Sequence, residues 1–268
     1  MSVELHNSGI EFAVIEWRGR PIRLEYQWVG AARSDLPVIV FLHEGLGSVA
    51  LWKDFPTEFC RANGFTGLVF SRYGYGQSTA RPAEERWPVT FMHEQVEQVL
   101  PALFSHLDID RPWLFGHSDG ASIALLYAAT WPDEVSGIVV EAPHIFVEDV
   151  TIEAIKMARE VYLHQGLRDK LGRFHADIDS AFWGWNNAWL DPAFRSWNIE
   201  NGLTRISCPV LAIQGEDDEY GTLAQVHGIK RKVPHAKLLV LPKCGHSPHR
   251  DQPKAIAEEV ARFIDGST

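Results

Sequence analysis

Apolar and polar residues follow one another in two rhythms along this chain, and their order predicts a layered α/β protein. IEFAVIEWRGRPIRLEYQWVG (10–30) reads as two strands around an Arg-Gly-Arg-Pro turn. PVIVFLH (37–43) is nearly continuous in apolar residues, as in a strand buried on both faces of a sheet. LWKDFPTEFCRANG (51–64) has helical spacing and closes on Gly64. The pattern then repeats: strand FTGLVF (65–70), helix FMHEQVEQVLPALFSHLDI (91–109), strand PWLFGHS (112–118), helix ASIALLYAATW (121–131) and strand SGIVVEAP (136–143). From about His144 to Ser207 the spacing is helical, without a strand signal. Alternation resumes with strand CPVLAIQG (208–215), helix LAQVHGIKRKVP (223–234), strand AKLLVLP (236–242) and helix KAIAEEVARFI (254–264). The order predicts a mostly parallel eight-stranded sheet with helices on both faces. Its core lies in two parts, 1–144 and 207–268, with a helical insertion at 145–206 after the sixth strand.

The 268 residues are 46% hydrophobic and 22% charged, a composition ordinary for a soluble globular protein. A formal net charge of −10 argues against nucleic acid or an anionic membrane as partner. Cys60, Cys208 and Cys244 are too few and too scattered for a disulfide framework or a four-cysteine zinc site. MSVELHNSGIEF lacks a basic stretch followed by an apolar one, and no apolar run approaches about 20 residues. The expectation is a cytoplasmic protein with no membrane span.

The chemistry gathers at LFGHSDG (114–120). Gly116-His117-Ser118-Asp119-Gly120 satisfies G-x-S-x-G between a predicted strand and a predicted helix. A serine on such a turn is held in a strained conformation, with its hydroxyl above the sheet. Side chains two residues before and after it would clash. The N–H of Asp119, first in the following helix, faces any negative charge that develops there. Serine needs a base. The two later strand ends that could supply one, with its orienting acid, read GEDDEYG (215–221) and CGHSPH (244–249).

With FLHEGLGS (41–48) and SRYGYGQS (71–78), these segments resemble the α/β-hydrolase family over essentially the whole chain, in the order Ser, Asp, His. The resemblance implies Ser118 as nucleophile and His246, directly after Gly245, as general base. His249 is the competing histidine, read as a surface or pocket residue. The family's G-x-x-D pattern selects Asp218 from the run Glu216–Glu219 as the orienting acid, with Glu141 as the alternative. The resemblance also implies oxyanion donors at Gly45 and Asp119. Glu44 stands where the family has its first glycine. It either bonds to the loop behind it or brings a carboxylate to the substrate. Arg72-Tyr73-Gly74-Tyr75-Gly76 reads as a structural brace.

In this family an insertion after the sixth strand caps the site and sets the substrate. Here it carries Phe182, Trp183, Trp185, Trp189 and Trp197. Trp183, Trp185, Trp189 and His144 are the substrate-contact candidates, for an apolar or aromatic small molecule. Asn186 and Asn187 are polar candidates. The leading function is hydrolysis of a small carboxylic ester through an acyl-enzyme. The same machinery would serve a C–C hydrolase of vinylogous diketones, a thioesterase or a lactonase. A ligand receptor on the same scaffold is the non-enzymatic alternative. No cofactor is implied, and no H-E-x-x-H or paired-cysteine spacing indicates a metal.

Overall fold

A computed structural model describes residues 5–7, 9–31 and 38–267. Residues 1–4 and 8 of the segment read above for a leader lie outside the described residues. Among the described residues nine strands form one sheet. They are β1 (Leu5–Asn7), β2 (Glu11–Trp17), β3 (Arg20–Ala31), β4 (Ile39–Leu42), β5 (Thr66–Phe70), β6 (Trp113–His117), β7 (Gly137–Glu141), β8 (Val210–Gly215) and β9 (Lys237–Leu241). The eight predicted strands are all present. β1, three residues long, is the addition, too short to carry a period. The first hairpin turns at Arg18-Gly19, both at positive φ, so Arg20 and Pro21 belong to β3 and not to the turn.

The helices are α1 (Phe55–Asn63), α2 (Phe91–Glu94), α3 (Leu100–His106), α4 (Asp119–Thr130), α5 (Asp149–His164), α6 (Leu167–Leu171), α7 (Ile178–Trp189), α8 (Ala224–Lys232), α9 (Pro248–Asp251) and α10 (Pro253–Asp265). A π turn at Gln95–Val99 joins α2 to α3. None is long and apolar enough to cross a membrane. Among the described residues no strand lies between β7 and β8. That stretch holds α5 to α7, tied across its base by a bridge between Phe146 and Asn198.

The sheet order is β1-β3-β5-β4-β6-β7-β8-β9, with β2 also on β3. Strands β5, β4, β6, β7, β8 and β9 run parallel, and β3 pairs antiparallel to β5. The central strands β4, β6, β7 and β8 are buried along their full length. The period of two sends Val40, Leu42, Leu114, Ile138 and Val140 into one core. Ile39, Phe41, Phe115, Val139 and Leu211 go into the other. Helix α4 is buried from Asp119 to Ala129, which is why it reads apolar on every side. From β4 the chain goes to β5 on one side and then to β6 on the other. The strand order therefore reverses between β4 and β6, and a crevice opens at their carboxyl ends.

Candidate active site

Both loops at that crevice are built by local necessity. Ser118 sits between β6 and α4 at φ 53°, ψ −116°, a region L-residues avoid. Its N–H is anchored to the Glu141 carbonyl at 2.9 Å, and its carbonyl accepts the Ser122 N–H at 3.0 Å. A Cβ on Gly116 would overlap the Gly120 backbone, and one on Gly120 would overlap the Leu42 carbonyl, both well inside 3.0 Å. Only glycine lets strand, turn and helix approach this closely.

The other loop follows β4. The buried His43 donates from Nδ1 to the Glu44 carbonyl at 2.7 Å, and Arg72 Nη2 donates to the same oxygen at 2.8 Å. The His43 Nε2 accepts the Arg72 backbone N–H at 3.0 Å. Burial holds His43 far below the usual histidine range, and the Arg72 charge adds to it, so the ring is neutral. Because a trans peptide opposes its C=O and N–H, fixing the Glu44 carbonyl inward turns the Gly45 N–H outward. Gly45 also lacks room for a side chain, since a Cβ there would overlap the Trp185 indole. The Arg72–Gly76 segment does brace this region.

Ser118 Oγ and His246 Nε2 are 2.9 Å apart, and His246 Nδ1 and Asp218 Oδ1 are 2.8 Å apart. Asp218 Oδ1 also accepts from the Tyr220 and Gly221 backbones at 2.8 and 3.3 Å, and Oδ2 accepts from Gln214 Nε2 at 2.7 Å. Burial pushes the Asp218 carboxyl up, but the hydrogen bond and charge of His246 and the Tyr220 N–H outweigh it and hold it below the usual carboxylate range. Its neighbour Glu219 is not merely solvated, because its Oε2 takes the His246 N–H at 3.2 Å.

These groups open onto a cavity of about 300 Å³ lined by Glu44, Gly45, Ser118, Asp119, His144, Trp185, Trp189 and His246. Leu46, Leu51, Ile155, Leu167, Leu171 and Phe174 complete apolar walls. Tyr220, Lys170 and Arg250 also line it, and no pattern in the sequence marked them. Tyr220 lies over the His246 ring at 4.7 Å between centroids. His144 stacks near-parallel on His246 at 5.9 Å. Burial lowers His144 to about 3, with the nearby His246 contributing, so it is a neutral imidazole. Asp119 Oδ1 accepts the Trp189 indole N–H at 3.0 Å, tying α7 to the start of α4. The segment before α7 is held by His175, another residue the sequence did not mark. Its Nδ1 accepts the Gly76 N–H at 3.0 Å and its Nε2 donates to the Leu46 carbonyl at 2.9 Å.

Several expectations need correction. Trp183 is outside the cavity. It is two residues, hence about 200°, from Trp185 around the helix, and it packs beside Phe182, Tyr162 and the Arg159 guanidinium. Trp185 and Trp189, four apart, share the inner face. Asn186 is buried and donates to the Ile155 carbonyl at 3.1 Å, joining α7 to α5. Asn187 lies with Trp183 on the outer side. His249 is neither at the surface nor in the pocket. It is 2% exposed, and its Nδ1 is 2.7 Å from Glu141 Oε2. Glu141 therefore partners His249 and not His246. Among the described residues no group of three His, Cys, Asp or Glu side chains is placed to hold a metal ion. The three cysteines are buried and unpaired.

The chain is 24% identical over 244 residues to the human serine hydrolase BPHL, covering 85% of this chain and 78% of that one. It is 23% identical to 2-hydroxy-6-oxo-6-phenylhexa-2,4-dienoate hydrolase of Burkholderia cepacia, covering 78% of this chain and 80% of that one. Its fold is similar to the crystal structure of the enol-lactonase from Burkholderia xenovorans LB400, with a TM-score of 0.75 at 19% identity over 95% of this chain and 100% of that one. A family model described as the alpha/beta hydrolase family matches residues 39–259, and with the sheet order and crevice above this places the chain in the alpha/beta hydrolase family.

Proposed function

We propose that this hydrolase cleaves a small carboxylic ester through an acyl-enzyme formed on Ser118. The observation that carries the reading is the unbroken chain Ser118–His246–Asp218, with links of 2.9 and 2.8 Å, on the floor of a largely apolar cavity.

In this reading the ester carbonyl lies over Ser118 Oγ. As Oγ attacks, its proton passes to His246 Nε2. Asp218 accepts the His246 Nδ1–H, keeps Nε2 free as base and stabilises the imidazolium. The four donors around Asp218 keep it a carboxylate and hold it still. The carbonyl oxygen becomes an oxyanion against the Gly45 and Asp119 N–H groups, both fixed before substrate arrives. The tetrahedral species collapses as His246 returns its proton to the leaving alkoxide. Water then attacks along the same path as His246 takes one of its protons, and His246 returns that proton to Ser118 Oγ as the acyl–Oγ bond breaks and the acid leaves.

Residues 145–206 act as the cap that shapes the substrate site. Trp185, Trp189 and Phe174 offer aromatic walls, and the neutral His144 offers an uncharged polar contact. The volume suits a small apolar or aromatic ester. The test is hydrolysis of one panel of esters, thioesters, lactones and a vinylogous diketone by wild type and Ser118→Ala in parallel. Turnover of an ester by wild type alone is expected. Activity retained in Ser118→Ala overturns the nucleophile, and preference for the diketone overturns the bond assigned.

A further inference from the structure

His117 stands immediately before Ser118 and faces two other loops. It is 1% exposed. Its Nε2 lies 2.7 Å from the carbonyl of His246, so it carries a proton and donates it. Its Nδ1 has no hydrogen-bond partner within ordinary range and faces Glu44 Oε2 at 3.6 Å. Both ring nitrogens thus face oxygens that accept. A neutral ring would aim a lone pair at a carboxylate in a buried place, which is costly. Glu44 Oε1 meets Arg250 Nη2 at 3.3 Å, which favours the ionised carboxylate over a protonated one.

We infer that His117 is an imidazolium paired with Glu44, and that it acts as a positioning residue joining the loop of Gly45, the turn of Ser118 and the loop of His246. One side chain would then set the spacing of nucleophile, base and oxyanion donor. The pairing also explains the glutamate that replaces a glycine beside the oxyanion site. Alone, that carboxylate would repel the charge forming on the substrate. Set against His117 and Arg250, two cations outweigh one anion.

Burial works against protonation of His117, but Glu44 outweighs it and holds the ring above the ordinary histidine range. Burial likewise opposes ionisation of Glu44, yet His117 and Arg250 hold it well below the carboxylate range. The other titratable groups around His117 are Glu141, His249, His144 and His246 itself. The pair is therefore intact between the lowered folded-state value of Glu44 and the raised one of His117; it is lost as the pH falls through the first or rises through the second.

The inference rests on the proposed function for its kinetic arm only. The first arm is NMR of the full chain with ¹⁵N-labelled histidine. At pH 7 both His117 nitrogens are expected to carry protons, and Glu44→Gln, which is nearly isosteric, should leave a neutral ring protonated at Nε2. A neutral His117 in the wild type overturns the inference. The second arm is the rate at which a fluorophosphonate labels Ser118. Glu44→Gln and His117→Gln should each slow labelling roughly tenfold, as expected for partners in one network. His117→Gln keeps a donor for the His246 carbonyl, and the double variant should be no slower than the slower single one. Losses that multiply overturn the coupling. Absence of labelling in the wild type would refute the nucleophile reading, while the NMR arm still decides the pair.

Discussion

Asp218→Asn tests the proposed mechanism at its most quantitative point. In the wild type the carboxylate lies 2.8 Å from His246 Nδ1 and its side chain is 1% exposed. At an effective dielectric constant of about 20, unit charges at that distance attract by about 6 kcal/mol. The amide forfeits this attraction when Ser118 gives up its proton, which corresponds to about four orders of magnitude in rate. Local geometry decides whether the tautomer is lost as well. All of Asp218's partners are donors, so an NH₂ must face one of them. The least costly place is opposite Gln214, whose Oε1 is buried without a partner and could turn to accept. His246 then keeps its Nδ1 proton, and the fold loses only about one hydrogen bond, about 1 kcal/mol. The expected result is a loss of three to four decades in kcat by the ester assay, roughly, with KM and Tm little changed. Asp217→Asn, at an exposed position in the same turn, is the control. A loss below about tenfold in Asp218→Asn, or equal losses in the two variants, would refute the electrostatic argument.

Other expectations follow from single contacts. Ser118→Ala should abolish turnover while moving Tm by no more than about 3 °C, since one hydrogen bond worth about 1 kcal/mol is lost; a larger fall would give the hydroxyl a structural part. Gly120→Ala drives a methyl group into the Leu42 backbone, which cannot swing aside. It should cost at least about 3 kcal/mol, or roughly 6–12 °C in Tm by thermal melting. Trp185→Ala should lower kcat/KM on the order of tenfold through lost apolar contact, and Trp183→Ala should leave it unchanged; the reverse order would mean that the helix face is misassigned. Burial holds His43, His144, His175 and His249 below the usual histidine value, so the unfolded chain takes up protons these rings refuse. Their contribution to stability is present above about pH 6.5 and is lost as pH falls through the folded-state values. Tm should therefore drop between pH 7.5 and pH 5.

The strands were legible because those buried on both faces are continuous apolar runs. β4, β6, β7 and β8 are such strands, and α4 was legible for a related reason. Ser118 was legible because the chemistry of a strained turn demands glycine at fixed offsets, and Gly116 and Gly120 supply it within five residues. Constraints of this kind act between near neighbours in the chain, so they leave a mark in the sequence. Trp183 was misplaced because density of tryptophan says nothing about the helix face, which depends on where α7 docks. By sequence Glu141 and His249 are each alternatives to members of the site. The structure instead pairs them with each other, 108 residues apart in the chain. His175, Tyr220 and Arg250 carried no local signal at all. The juxtaposition of His117 with Glu44 and the His246 carbonyl belongs to the same class. Three loops meet there only because the strand order reverses between β4 and β6. Periodicity and turn chemistry are local and are written in the sequence, whereas the pairing of buried charges is set by which strands lie side by side.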